Sequence, residues 1–183
     1  MTDRGNTNAA GAAFDELLVT LAVAGDRQAA ERLARRWQPR LLRTARRLVG
    51  AELAAGAVQE SWVSILRGIG GLRNPARFAP WAFGILRRRC ADAIRRAQAD
   101  RRFGGETAAA EISGAAMPDE ALAIAQAMAA LPPDQRLAAQ LFFVEGLTLA
   151  EIAEVQEVPE GTAKSRLFHA RRRLKAALSG DDQ

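Results

Sequence analysis

Lys164, Ser165, Arg166, Arg171, Arg172, Arg173 and Lys175 fall between the apolar positions of one C-terminal segment, leaving a face of cations and a hydroxyl for solvent or phosphate. In the same segment Ala163, Leu167, Ala170, Leu174 and Leu178 recur at three- and four-residue spacing and are expected to face inward. Pro159 opens this helix and Glu160 sits in its first turn, both favourable where backbone N–H groups are unpaired. Just upstream, Leu149, Ile152 and Ala153 share one side of a shorter helix, and Val155 and Val158 close the turn between the two. A short apolar helix, a tight turn and a basic second helix over residues 146–174 make the layout of a helix-turn-helix, whose second helix reads DNA. Any amphipathic surface helix of an arginine-rich protein carries a similar face, so the rest of the chain must say what the contact is for.

A second group is the loop Gly68-Ile-Gly-Gly-Leu-Arg-Asn-Pro-Ala-Arg-Phe78. Glycine-rich backbone, an amide at Asn74, cations at Arg73 and Arg77, and aromatics at Phe78 and Trp81 are the parts needed to hold an unstacked base. Stacking and base-edge hydrogen bonds would offset the few kcal/mol that opening a base pair costs. The alternative is an ordinary inter-helix loop. For Phe78 and Trp81 a core role is the stronger expectation, and for Arg73, Asn74 and Arg77 the two readings stand level.

At 183 residues the chain suits two small helical domains, each with a modest core. Much of its 49% apolar content is alanine, tyrosine is absent and β-branched residues are sparse, which favours an all-α fold. The net charge of +5, supplied mostly by arginine, suits a polyanionic partner. Arg87, Arg88, Arg89, Arg95, Arg96, Arg101 and Arg102 form a second basic element, and Glu106, Glu111, Asp119 and Glu120 make the following stretch acidic. Cys90 and His169 are single, so an intramolecular disulfide and a cysteine/histidine zinc site are excluded, and no metal or cofactor is expected. No carboxylate pair, nucleophile–base pair or phosphate loop suggests an enzyme. Residues 17–24 look like the apolar part of a signal peptide, but Asp15 and Glu16 abut them, and an amphipathic first helix is the better reading. A soluble, cytoplasmic protein without membrane insertion is expected.

The elements follow from punctuation. Residues 1–12 are small and polar and are expected to be disordered. A helix is predicted from Phe14 to Ala24, ended by Gly25, and Asp26 caps a long one with Ala30, Leu33, Trp37, Leu41, Ala45 and Leu48 in a stripe. Pro39 should kink or split it, and Gly50 should end it. A third helix runs from Glu52 to Arg67, burying Val58, Trp62, Ile65 and Leu66, and a fourth from Phe78 to Ala99, with Phe78, Trp81, Ile85 and Ile94 on one side. Residues 13–99 would form the first domain, 100–117 a flexible linker, and 118–180 the second domain, with helices near 119–130, 133–145, 148–154 and 159–178.

These modules in this order resemble the extracytoplasmic-function (ECF) group of bacterial RNA polymerase sigma factors, built from regions 2 and 4 of the sigma-70 family. The resemblance covers residues 14–178 and rests on the Phe78, Trp81, Ile85, Arg87, Asp92, Arg95 and Arg96 pattern, on Val58-Gln59-Glu60, on Leu131-Pro-Pro-Asp-Gln135-Arg136, on Glu145-Gly146-Leu147-Thr148 and on Gly161-Thr-Ala-Lys-Ser-Arg-Leu167. It implies that Glu52, Gln59 and Glu60 face the clamp helices of the polymerase largest subunit, and that the second module meets the flap of the second subunit. The loop residues Arg73, Asn74, Arg77, Phe78 and Trp81 would engage the −10 element, with Arg87, Arg88, Arg95 and Arg96 near duplex phosphates. Glu160, Thr162, Lys164, Ser165, Arg166, Arg171 and Arg172 would lie at the −35 element. An anti-sigma factor is a further partner of the kind the resemblance allows. The chain departs from the family pattern at Gly56, where Asp is usual, at Arg88, often Asn, at Glu157, usually Gly, and at Ala163, usually a larger aliphatic residue.

Three readings are therefore carried forward. They are a promoter-specificity subunit of polymerase, a helix-turn-helix regulator with weakened polymerase engagement, and an interaction protein that mainly serves a regulatory partner.

Overall fold

In the computed structural model, which describes residues 4–102 and 119–179, α1 spans Arg4–Val23 and is followed by Gly25, whose φ of 93° suits only glycine. The helix begins earlier than the sequence predicts, because residues 4–12, expected to be disordered, form its first turns. Residues 1–3 lie outside the described residues. The cause is long-range: Arg36 donates to the Gly11 carbonyl and the Asp15 carboxylate, and its guanidinium lies 5.6 Å from the centre of the Phe14 ring.

Asp26 caps α2 (Arg27–Gly68) as its type predicts, its carboxylate accepting from the backbone N–H groups of Gln28 and Ala29 at 2.8 and 3.1 Å. The backbone leaves helical geometry at Gly50 (φ 81°, ψ 171°), so α2 is two helical halves meeting where the sequence puts the boundary. Pro39 does not split it. Leu33, Trp37, Leu41 and Ala45 are all buried on one core, so packing on both sides of the proline holds the helix through it. In the second half Ala54, Ala57, Val58, Ser61 and Ile65 turn inward. Leu66, expected in the core, is 53% exposed, because Ile65 takes the inward position.

α3 (Phe78–Arg102) packs along α2 and runs past its expected end at Ala99. Phe78 meets Trp37 edge-on with centroids 4.9 Å apart, and Phe83 closes on the same ring at 5.8 Å, so Trp37 is the centre of the first module. Ile94, predicted on the buried side, is exposed. The expected linker falls mostly outside the described residues, and residues 100–102 of it are helical.

The second module comprises α4 (Asp119–Ala129), α5 (Pro133–Ala139), α6 (Leu149–Gln156) and α7 (Glu160–Ser179). The helix predicted over 133–145 is shorter, since residues Gln140–Val144 form a wider π-helical turn. Thr148 and Glu151 make a reciprocal capping box at the start of α6. Ala163, Leu167 and Ala170 are buried against the neighbouring helices, Leu174 is half-buried, and Leu178 is exposed where the periodicity places it inward.

Among the described residues no helix is long and apolar enough to cross a membrane.

Two glycines in α2 should respond oppositely to alanine. Gly50→Ala forces a side chain into a region open essentially to glycine alone and is expected to cost roughly 1–3 kcal/mol. Gly56 is exposed, and a Cβ there meets nothing within 4 Å, so Gly56→Ala should stabilise by roughly 0.5–1 kcal/mol. Urea unfolding of the two variants beside the parent measures both.

Candidate nucleic-acid interface

α7 presents Glu160, Thr162, Lys164, Ser165, Arg171 and Arg172 to solvent, with Ala163, Leu167 and Ala170 seated beneath them. Arg166 is different. Its guanidinium donates to the Gln156 side-chain oxygen at 2.9 Å and pairs with Asp134 at 2.7 Å, so it pins α7 to α5 and α6 and is half-buried. Gln156 in turn donates to the Asp134 carbonyl at 2.8 Å. α7 is thus oriented by a polar tie as well as by its apolar seam.

The loop between α2 and α3 is two short 3₁₀ turns, Ile69–Gly71 and Pro75–Arg77. The Asn74 side-chain oxygen accepts from the Ala76 N–H at 3.0 Å and so caps the second turn. Arg73 and Asn74 are exposed, while Phe78 is buried and belongs to the core. Trp81 is half-buried, tilted on Phe78 with centroids 5.9 Å apart and close-packed over Gly68. A Cβ on Gly68 would stand 3.1 Å from the Trp81 ring, which is why this position is small.

The arginines of α3 are largely committed to carboxylates. Arg95 and Arg89 both pair with Asp92, and Arg89 also donates to the Ser64 hydroxyl at 2.9 Å. Arg96 makes a two-pronged contact to Glu60 at 2.8 and 2.9 Å. That hydrogen bonding holds Glu60 below the ordinary carboxylate range. Glu52, Gln59 and Gly56 stand exposed on the same side of α2, and a side chain at Gly56 would enter open space. Cys90 is buried, and desolvation pushes its thiol up to about 12, which leaves it protonated and unreactive near neutral pH.

Contacts between the two modules are the part that spacing does not disclose. Glu145, with no side-chain exposure, accepts from Arg40 at 2.9 Å and Arg43 at 3.1 Å, with the Gln140 amide at 3.3 Å and the Thr44 hydroxyl at 3.4 Å around it. Arg136 donates to the Arg47 carbonyl at 3.0 Å. On the other flank Arg77 pairs with Glu154, and Glu157 joins Arg87 at 2.6 Å and Arg88 at 3.0 Å. Glu157 closes α6 in the left-handed conformation (φ 55°, ψ 47°), which costs a non-glycine residue roughly 1 kcal/mol or more. The signal for these contacts was present only as unexplained charge: a glutamate in a tight turn and arginines that read equally well as phosphate ligands. Among the described residues no group of three or more His, Cys, Asp or Glu side chains is placed to hold a metal ion.

Arg87 holds the Glu157 carboxyl below the ordinary carboxylate range, first by hydrogen bonding, and Arg88 adds to the effect. A value depressed in the docked state supports docking above the ordinary carboxylate range and is lost as pH falls through the depressed value. The pair is exposed and adds a small share to the contact that Glu145 holds, so the parent should show a slightly more compact small-angle scattering profile than Glu157→Gln above the ordinary carboxylate range, and the two should converge below the depressed value. Glu157→Gln should lack this component of the acid response.

Models of known families match both modules: "Sigma-70 region 2" over residues 33–100 and "Sigma-70, region 4" over residues 121–174. Among curated relatives, the ECF RNA polymerase sigma factor SigM of Mycobacterium tuberculosis is 35% identical over 165 residues, 90% of this chain and 84% of that protein. The RNA polymerase sigma-H factor of Pseudomonas aeruginosa is 31% identical over 180 residues, 90% of this chain and 93% of the relative. The fold is similar to that of the sigma factor RpoE of Bartonella quintana, solved in complex with the anti-sigma factor NepR, with a TM-score of 0.69 and 23% identity over 81% of this chain and 96% of that one.

Proposed function

This chain belongs to the ECF group of sigma-70 factors, and from that premise we propose which residues carry its function. It is an RNA polymerase sigma factor that directs promoter recognition, at the −10 element through region 2 and at the −35 element through region 4, and transcription initiation. The observation that carries the residue assignment is the ordered basic face of α7 above its buried Ala163, Leu167 and Ala170. Base choice at −35 falls to Glu160, Thr162, Lys164 and Ser165 near the start of the helix, with Arg171 and Arg172 further along on phosphates. Arg166 acts through position: tied to Gln156 and Asp134, it sets the angle at which α7 leaves the turn.

For region 2 we assign Arg73, Asn74 and Arg77 to the −10 bases, with the half-buried Trp81 as the stacking surface next to them. Phe78 supports Trp81 from the core instead of meeting a base. Arg87, Arg88, Arg95 and Arg96 serve the phosphates once their carboxylate partners are displaced. Glu52, Gln59 and Glu60 form the surface for the clamp helices, and the exposed Phe142, Phe143 and Val144 form an apolar patch suited to the flap of the second subunit. Acting on polymerase places the protein in the cytoplasm, and a regulatory partner of the anti-sigma kind, as NepR is to RpoE, belongs to the same proposal. Catalysis is left to the polymerase.

The test is co-purification of the tagged chain with core polymerase, followed by run-off transcription on fragments of the native genome. Promoter-dependent transcripts are expected, and their start sites define the −10 and −35 sequences. Lys164→Ala should weaken −35 recognition and leave the melting temperature unchanged, whereas Arg166→Ala should lower the melting temperature as well. Gly56→Asp should tighten the association with core polymerase. Retention of DNA binding without polymerase association would instead support the regulator reading.

A further inference from the structure

Three observations on the docked modules converge on one surface. First, Arg77, Arg87 and Arg88 lie on the loop and the N-terminal half of α3, and each is paired with a carboxylate from the helix-turn-helix: Arg77 with Glu154 on α6, and Arg87 and Arg88 together with Glu157 in the turn. Second, Glu157 occupies a backbone conformation that disfavours any side chain, yet one carboxylate there reaches two guanidinium groups. A strained position that holds a charge in place gives the charge a role, because glycine would satisfy the turn without it. Third, Glu52 and Gln59, on the opposite half of α2, remain exposed in this arrangement.

We propose that the turn of the helix-turn-helix is an internal competitor for DNA, its Glu154 carboxylate taking the place of a base edge on Arg77 and its Glu157 carboxylate the place of phosphates on Arg87 and Arg88 in the free protein. The inference rests on the assignment of those arginines to promoter DNA. A carboxylate and a phosphate oxygen present the same acceptor chemistry to a guanidinium fork, so occupancy by one excludes the other. Docking through Glu145 supplies the high local concentration that lets two carboxylates compete with a polyanion. The free chain therefore has Arg77, Arg87 and Arg88 occupied, while Glu52 and Gln59 of the polymerase surface stand open. Polymerase meets the protein first, and region 2 meets DNA after the modules part. Arg88 and Glu157, the two positions where this chain trades a neutral residue of the family pattern for a charged one, are partners in this contact.

The experiment is fluorescence anisotropy of the full chain on a labelled duplex of arbitrary sequence across a salt series. Four proteins are compared: the parent, Glu154→Gln/Glu157→Gly, Arg87→Ala/Arg88→Ala, and the two pairs combined. Glycine at 157 suits the left-handed turn, so the first variant keeps the helix-turn-helix folded. Releasing the two phosphate-binding arginines, Arg87 and Arg88, should tighten binding about tenfold at low salt and steepen the slope of log affinity against log salt by roughly 2. The combined variant should lose most of that gain. If Glu154→Gln/Glu157→Gly binds like the parent while Arg87→Ala/Arg88→Ala binds more weakly, the competitor is overturned and the DNA assignment stands. If removing the arginines changes nothing in either background, the assignment itself fails and the competitor fails with it.

Discussion

A single buried carboxylate, that of Glu145, decides how the two modules sit together. Its side chain has no solvent exposure, and an ionised carboxylate out of water carries a desolvation penalty of several kcal/mol. Only dense hydrogen bonding offsets such a penalty, and Arg40, Arg43, Thr44 and Gln140 supply it from α2 and from the second module's own π-helical turn. Arg40 cannot swing away to follow it. Its guanidinium lies 4.0 Å from the centre of the Trp37 ring and near Asp15, so the group that receives Glu145 is fixed by the core of the first module. The docking geometry is therefore an extension of the Trp37 core, carried outward through one stacked cation.

That constraint explains the unusual turn after α5. Were α5 to continue as regular helix to residue 145, as its sequence pattern suggests, Glu145 would leave the chain at a different angle. The wider turn over Gln140–Val144 and the positive φ of 74° at Gly146 bring the chain back so that Glu145 is buried while Phe142, Phe143 and Val144 remain outside. Exposed apolar residues on one side and a buried charge on the other invert the usual pattern, and such inversions are where local rules yield to function or docking.

Local physics was legible in the sequence. The cap at Asp26, the break at Gly50, and the inward triad Ala163, Leu167 and Ala170 all depend on neighbours within a few residues. So did the helix-turn-helix and the basic face of α7. What failed was what distance decides. Pro39 is carried through α2 by a core that forms on both sides of it, and α1 reaches back to Arg4 because Arg36 waits for it. The charges misled most: an arginine whose partner lies seventy or a hundred residues away looks the same in sequence as one that waits for phosphate, as Arg88 with Glu157 and Arg43 with Glu145 show.

The Glu60–Arg96 pair carries this ambiguity into the mechanism. It joins the second half of α2, assigned to polymerase, to the C-terminal half of α3, assigned to duplex phosphates, through two parallel hydrogen bonds on an exposed surface. Exposed pairs are weak, so either partner is cheaply exchanged for a better one. A basic residue of polymerase that claims Glu60 leaves Arg96 without its counter-charge, and a phosphate that claims Arg96 leaves Glu60 free for polymerase. By linkage the two events favour each other, whichever comes first. On the two assignments proposed above, helices packed on one core would couple the two surfaces without any change of shape. The sequence places on neighbouring faces two opposite charges, each assigned above to a partner outside the chain.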